Sequence, residues 1–256
     1  MPVEVSAEGY DRYLGPYSEL LAEHFLALAG VAPGHRALDV GCGPGALTRR
    51  LADRLGPEAV AAIDPVPVYV EAASARCPGV VVRHGHPHLL PFDDAEYDAV
   101  LAQLVVHTLP DPVAALREMG RVAGPDGTVA ACVWDHAGQR GPSSVFWSAV
   151  RGLEPDVPGE AVLPGAAEDE LRQLAEAAGL RVVAAERLEV QVHYPTFQDW
   201  WEQHTLDVGR VGAHIASCVG DCRERLRDEC RRRLPAPPFD ITASAWAVVA
   251  RPERRA

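Results

Sequence analysis

The sequence predicts an α/β protein whose parallel sheet is covered by helices on both faces, and two observations predict it. Between Arg36 and Asp135, short apolar runs alternate with segments of helical periodicity. The first of these runs then ends in clustered glycines that open into a helix, the turn a strand-to-helix crossover requires. Strands buried on both faces read as continuous apolar runs, and these do.

In chain order, Tyr10 to Ala29 reads as a helix lying ahead of the sheet. Ala37-Leu38-Asp39-Val40 is the first strand, followed by a helix from about Ala46 to Leu55. Ala59 to Ile63 is the second strand, with a helix from about Val66 to Arg76 after it. Val80-Val81-Val82 is the third strand, and Tyr97 to Gln103 contains the fourth. Pro112 to Val122 is a helix opened by proline, which lacks the N–H that a first turn leaves unpaired anyway. Gly127 to Trp134 is the fifth strand.

The second half has a different texture. Glu168 to Ala178 is an amphipathic helix with Gly179 as its stop. Leu180 to Tyr194 alternates as a long strand, and Thr196 to Leu234 is helical in pieces, rich in Trp, His and Arg. Pro235 to Pro238 is a short stiff connector, and Ile241 to Ala250 is a final strand. The reading is one domain: residues 1–35 an N-terminal helical cap, 36–135 the core, 136–256 a second half with a helical insertion at about 196–234.

Composition narrows the function. Hydrophobic residues make up 48% of the chain, enough for a substantial core, yet no uninterrupted apolar run approaches the ~20 residues that span a bilayer. No membrane insertion is expected, and with no secretory leader pattern in the first residues a cytoplasmic address follows. The net charge of −12 argues against a nucleic-acid substrate, because phosphate binding needs a basic surface. The arginine-rich stretch Arg223 to Arg233 is interleaved with Glu224, Asp228 and Glu229 and reads as a solvated helix face. Six dispersed cysteines without a CxxC pair read as packing residues. His214, Cys218 and Cys222 are spaced for one helix face, but Gly220-Asp221 breaks it, so no metal site is expected.

The chemistry is concentrated in Leu38 to Ala46, LDVGCGPGA. Gly41, Gly43 and Ala46 satisfy a dinucleotide fingerprint, which keeps a nicotinamide-dependent oxidoreductase as an alternative. Two details favour a cationic ligand. Asp39, two residues before the first glycine, repels a pyrophosphate and attracts an ammonium or sulfonium group. Pro44 removes an N–H that would otherwise cradle phosphate oxygens. Asp64, 19 residues past Gly45, stands where a carboxylate accepts ribose hydroxyls in either case.

Leu38 to Gly45 resembles the first motif of the class I S-adenosylmethionine-dependent methyltransferases, and further segments follow in that family's order. These are Ala62 to Pro65, Gly85 to Phe92, Tyr97 to His107, and Arg117 to Gly127. The resemblance covers about residues 36 to 135 and is nearest to small-molecule methyltransferases of the group that includes quinone-biosynthesis enzymes. It implies a Rossmann-like, doubly wound sheet of seven strands with the last antiparallel, plus a helical lid. It also implies S-adenosyl-L-methionine as cofactor. Gly41, Gly43 and Gly45 would line its methionine and ribose part, and Asp39 would hold the amino end. Asp64 would bind the ribose, Val66 would pack by the adenine, and Gln103 would sit near the methionine. One departure concerns His86-Pro87, where the family has an acid and then a small residue. Neutral His86 can accept from the adenine, but Pro87 has no N–H to give. A cofactor-binding protein that does not methylate is therefore a second alternative.

Methyl transfer needs alignment and, for a hydroxyl acceptor, a base. His107 is the candidate base, following the fourth strand at the sheet edge where such folds bind ligands. Trp134, Asp135 and His136 close the fifth strand at that edge. Tyr10, Tyr13 and Tyr17 share one helix face, with Tyr13 expected against the cofactor and Tyr10 and Tyr17 toward the acceptor. Trp200, Trp201 and His204 begin the helical insertion, and their aromatic character points to a small, apolar or ring-bearing acceptor.

Overall fold

The computed structural model describes residues 6–253. Its seven strands are β1 (Ala37–Val40), β2 (Val60–Asp64), β3 (Val81–His84), β4 (Tyr97–Gln103), β5 (Ala123–Trp134), β6 (Leu180–Tyr194) and β7 (Phe239–Pro252). They form one sheet in the order β3-β2-β1-β4-β5-β7-β6. The first five run parallel; β7 is antiparallel to β5, and β6 is antiparallel to β7.

The helices are α1 (Ala7–Tyr13), α2 (Gly15–Leu28), α3 (Ala46–Leu55), α4 (Pro67–Arg76), α5 (Pro112–Val122), α6 (Ser144–Leu153), α7 (Glu170–Ala177), α8 (Phe197–His204), α9 (Gly209–Ser217) and α10 (Cys222–Arg233). Because side chains alternate along a strand, β1 feeds two cores. Leu38 and Val40 join Val100, Leu116, Met119 and Leu171 on the face covered by α5 and α7. Ala37 joins Leu101, Leu47, Phe25, Phe146 and Trp200 on the other, under α2, α3, α6 and α8. No described helix is long and apolar enough to cross a membrane.

The structure differs from the sequence reading at four places. The single N-terminal helix is two, divided at Leu14. Pro16 sits in the first turn of α2, where its ring and missing N–H prevent α1 from continuing through. Strand β5 starts at Ala123 rather than Gly127, because Ala123 pairs with Tyr97 ahead of a bulge. Helix α6 falls where no element was expected, and it buries Phe146, Trp147, Ala149 and Val150. Cys218 and Cys222 are joined as a disulfide across the Gly220 break, so these two are not separate packing residues.

The helical insertion between β6 and β7 is three helices, and α8 belongs to the core. Its capping box, Thr196 with Asp199, fixes its start, and its aromatic face turns inward. Trp200 is fully buried and packs on His204, with ring centroids 4.0 Å apart. Trp200→Ala should therefore lower unfolding free energy by about 3–5 kcal/mol, the usual cost of emptying a buried large side chain. Urea titration checks this, and an unchanged midpoint would contradict the assignment of α8 to the core.

Candidate cofactor and acceptor site

The strand order reverses between β1 and β4, and the carboxyl ends of β2, β1, β4 and β5 stand side by side at one edge. Open α/β sheets place their ligand crevice at such a switch point. A cavity of about 890 Å³ lies here, lined from all four strand ends. Crossing three inter-strand steps takes it over roughly 14 Å.

The turn after β1 forms one wall. The N–H groups of Gly41 and Cys42 both donate to the carbonyl of Ile63 on β2, at 2.8 and 3.1 Å. This folds the chain sharply, and Gly41 takes φ of +73°. A Cβ at Gly41 would lie 2.4 Å from Cγ2 of Val105, so the turn has no room for a side chain. Beyond it, the Gly43 N–H donates to Oδ2 of Asp64 at 2.9 Å, and Val66 N–H donates to Oδ1 at 2.8 Å. Asp64 is thus held rigidly at the end of β2. Gly41, Gly43, Pro44, Asp64 and Val66 all line the cavity.

Asp39 is 1% exposed. Thr48 donates its hydroxyl to Oδ2 at 2.6 Å, while Oδ1 has no protein partner. Burial pushes the Asp39 carboxyl up to about 7, against the Thr48 hydrogen bond and with a smaller push from the Asp64 charge. Gln103 repeats the pattern at the end of β4. Its Nε2 donates to the Ser18 carbonyl at 3.1 Å, and its buried Oε1 is unpartnered. Two buried acceptors with spare capacity in one cavity wall favour a ligand that brings N–H donors.

Helix α1 closes the side of the cavity nearest β2. Asp11 forms an ion pair with Arg76 of α4, which ties α1 across the glycine turn. Tyr10 and Tyr13 then line the cavity, and Tyr10 packs edge-on to Tyr69 at 5.6 Å. His86 and Pro87 also line it, in a tight turn where Leu89 N–H donates to the His86 carbonyl at 3.0 Å. Pro87 therefore presents no N–H to that wall.

At the β4–β5 end, His107 and His136 face each other with ring centroids 5.6 Å apart, beside Trp134. Burial, and then His136, push His107 down to about 3, while burial pushes His136 down to about 4. Both imidazoles are neutral at physiological pH, and both are weaker bases than free histidine. Three residues here escaped the sequence reading: Ser143, Glu160 and Arg210. Glu160 lies in a Pro- and Gly-containing loop between α6 and α7, which is the one signal that pointed to it.

Six expected site residues do not line the cavity. Gly45 instead caps α3 and lets it approach α4, where an added Cβ would lie 3.3 Å from Ala73. Tyr17 is 1% exposed and shares a 3.1 Å hydrogen bond with Tyr194, because Pro16 turned α2 onto the sheet. Trp200, Trp201 and His204 are core residues of α8, where apolar burial outweighs a lid role. Asp135, between the lining residues Trp134 and His136, is spent on the backbone N–H of Gly138 and on Arg140. From the insertion, the residues that reach the cavity are Asp207 to Val211, at the start of α9.

Sheet order, glycine turn and strand-end carboxylates together are similar to those of class I S-adenosylmethionine-dependent methyltransferase domains. Residues 38–131 match the family model described as a methyltransferase domain. An uncharacterized methyltransferase of Mycobacterium tuberculosis is 38% identical over 109 residues, 43% of this chain and 43% of that protein. A demethylmenaquinone methyltransferase of Staphylococcus aureus is 38% identical over 104 residues, covering 39% of this chain and 43% of that one. The matched region thus spans less than half the length of these curated relatives. Among solved structures, a SAM-dependent methyltransferase from Aquifex aeolicus aligns with TM-score 0.54 and 25% identity, over 71% of this chain and 92% of that one.

S-adenosylmethionine is the cofactor this domain implies, and the residues present fit it. The orphaned oxygens of Asp39 and Gln103 suit an ammonium group, and two carboxylates at one end suit a cationic compound. Because the Asp39 pKa lies above the ordinary carboxylate value, a fraction holds a proton near neutrality. Without ligand this group's stabilising influence is fullest at low pH and is lost as pH rises through about 7. A bound cation favours the ionised form, so affinity for S-adenosylmethionine should rise with pH through about 7. Asp39→Asn should flatten that rise and weaken binding at least about tenfold, the scale of a charged hydrogen bond. Tryptophan fluorescence titrations, reporting through Trp134 in the wall, check both.

Proposed function

We propose that this protein transfers the methyl group of S-adenosylmethionine to a small-molecule acceptor. The observation that carries this reading is that one cavity is lined by the glycine turn and strand-end carboxylates and also by Trp134, His107, His136 and Glu160. The sulfonium supplies an already activated methyl. The chain's own task is alignment and exclusion of water.

Asp39 and Gln103 would hold the amino end, and Asp64 would use its remaining acceptor capacity on the ribose hydroxyls. Gly41 and Gly43 would let the backbone approach, with Val66 and the Pro87 ring beside the adenine. Tyr10 and Tyr13, on a helix pinned by the Asp11–Arg76 pair, would shield the methyl from solvent. Leu104, at φ of +61°, turns the chain after β4 so that Val105 buttresses the glycine turn. His107 would act here as a neutral polar group, since its depressed pKa makes it a poor proton acceptor near pH 7. The net charge of −12 and the enclosed chamber favour a small acceptor over nucleic acid, and a cytoplasmic setting suits the cofactor.

A second reading, binding without methyl transfer, is favoured by Pro87, which withholds an N–H from the cavity wall. A screen of small-molecule acceptors separates the two by S-adenosylhomocysteine release. The proposal expects turnover with at least one acceptor, and Asp64→Ala should raise the apparent KM for the cofactor about tenfold or more. Tight binding with no S-adenosylhomocysteine formed from any acceptor would favour the second reading.

A further inference from the structure

The chamber at the β5 end contains a carboxylate that the reading above leaves without a role. Glu160 arrives on the loop between α6 and α7, and its side chain is 15% exposed. Ser143, just ahead of α6, donates its hydroxyl to Oε2 of Glu160. Nδ1 of His136 lies 3.4 Å from that same oxygen. Tyr13 of α1 and Arg210 of α9 complete the charged and titratable surroundings, with the Trp147 indole of α6 alongside. Four separate elements therefore converge on one carboxylate in the wall of a ligand cavity, and a buried carboxylate with no full counter-charge is costly unless it serves a purpose.

We infer that Glu160 accepts the proton of a weakly acidic hydroxyl on the acceptor, which places that hydroxyl beside Ser143 and His136 and makes the acceptor a phenol- or enol-type molecule. This rests on the methyltransferase reading of the same cavity. The remaining walls of the chamber, Trp134, Leu163 and Val211, suit the apolar body of such a compound. The step balances. The acceptor O–H bond breaks and its proton passes to the Glu160 carboxylate. The oxygen's electron pair forms the new bond to the methyl carbon, and the sulfur keeps the pair of the broken S–C bond and leaves as a neutral thioether. Burial raises the Glu160 pKa, opposed by Ser143, Trp147 and Arg210, which brings it closer to the working pH than a free carboxylate. His107 and His136, both depressed, are the poorer bases.

The test uses the full chain loaded with S-adenosylhomocysteine and titrated calorimetrically with para-cresol and 2-naphthol, phenols that stay un-ionised through neutral pH. At least one phenol should bind, and its methyl ether, which has no proton to donate, should bind about tenfold or more weakly. Affinity for the phenol should fall on acidification, as Glu160 takes up a proton, and Glu160→Gln should abolish that pH dependence while still binding S-adenosylhomocysteine. Equal affinity for phenol and ether, a flat wild-type pH profile, or failure of both phenols to bind would overturn the inference. Failure of the wild type to bind S-adenosylhomocysteine would instead overturn the cofactor reading on which it rests.

Discussion

The site depends on a close approach that only a bare backbone can make. Between β1 and α3 the chain must bend under the end of β2 and against Val105, and Gly41 has no space for even a methyl group. That bend brings Asp39, Gly43 and Asp64 into one wall and sets Asp39 so deep that its carboxyl is raised to about 7. Geometry thus creates the electrostatics. A shallower turn would leave Asp39 hydrated, near its ordinary pKa, and less selective for a cation.

The rest of the molecule supports this wall from outside. Val105 is held by the left-handed turn at Leu104, whose N–H is anchored on the Cys132 carbonyl of β5. Gln103 ties the end of β4 to Ser18 of α2, so the N-terminal helices and the sheet edge are one unit. The Asp11–Arg76 pair spans the opening from α1 to α4. As a partly exposed ion pair it adds little stability, and its contribution is one of position.

How much of this was legible in the sequence follows the range of the forces involved. The first five strands and their helices were readable because short apolar runs and 3.6-residue periodicity are local signals. The glycine turn, Asp39 and Asp64 were readable because they lie at fixed offsets from a strand end, whereas Gln103 came from the family resemblance. The antiparallel last strand came from family resemblance, since periodicity carries no direction. Trp200, Trp201 and His204 were misplaced because an aromatic run on an amphipathic helix looks the same facing a core or a ligand. Here tertiary packing decided for the core: His204 lies against Phe146 and Tyr13, and both tryptophans are buried. Glu160 was missed because its partners, Ser143 and His136, are 17 and 24 positions away in an irregular loop. No local pattern encodes such a meeting.

The wall formed by the glycine turn, Asp39 and Asp64 should prefer a cationic sulfur compound over a diphosphate. Isothermal titration of the folded wild-type protein with S-adenosylmethionine, S-adenosylhomocysteine and NAD, side by side in one buffer, addresses that preference most directly. Saturable heats from the two sulfur compounds and none from NAD are the predicted result. Binding of NAD with no heat from either sulfur compound would contradict it.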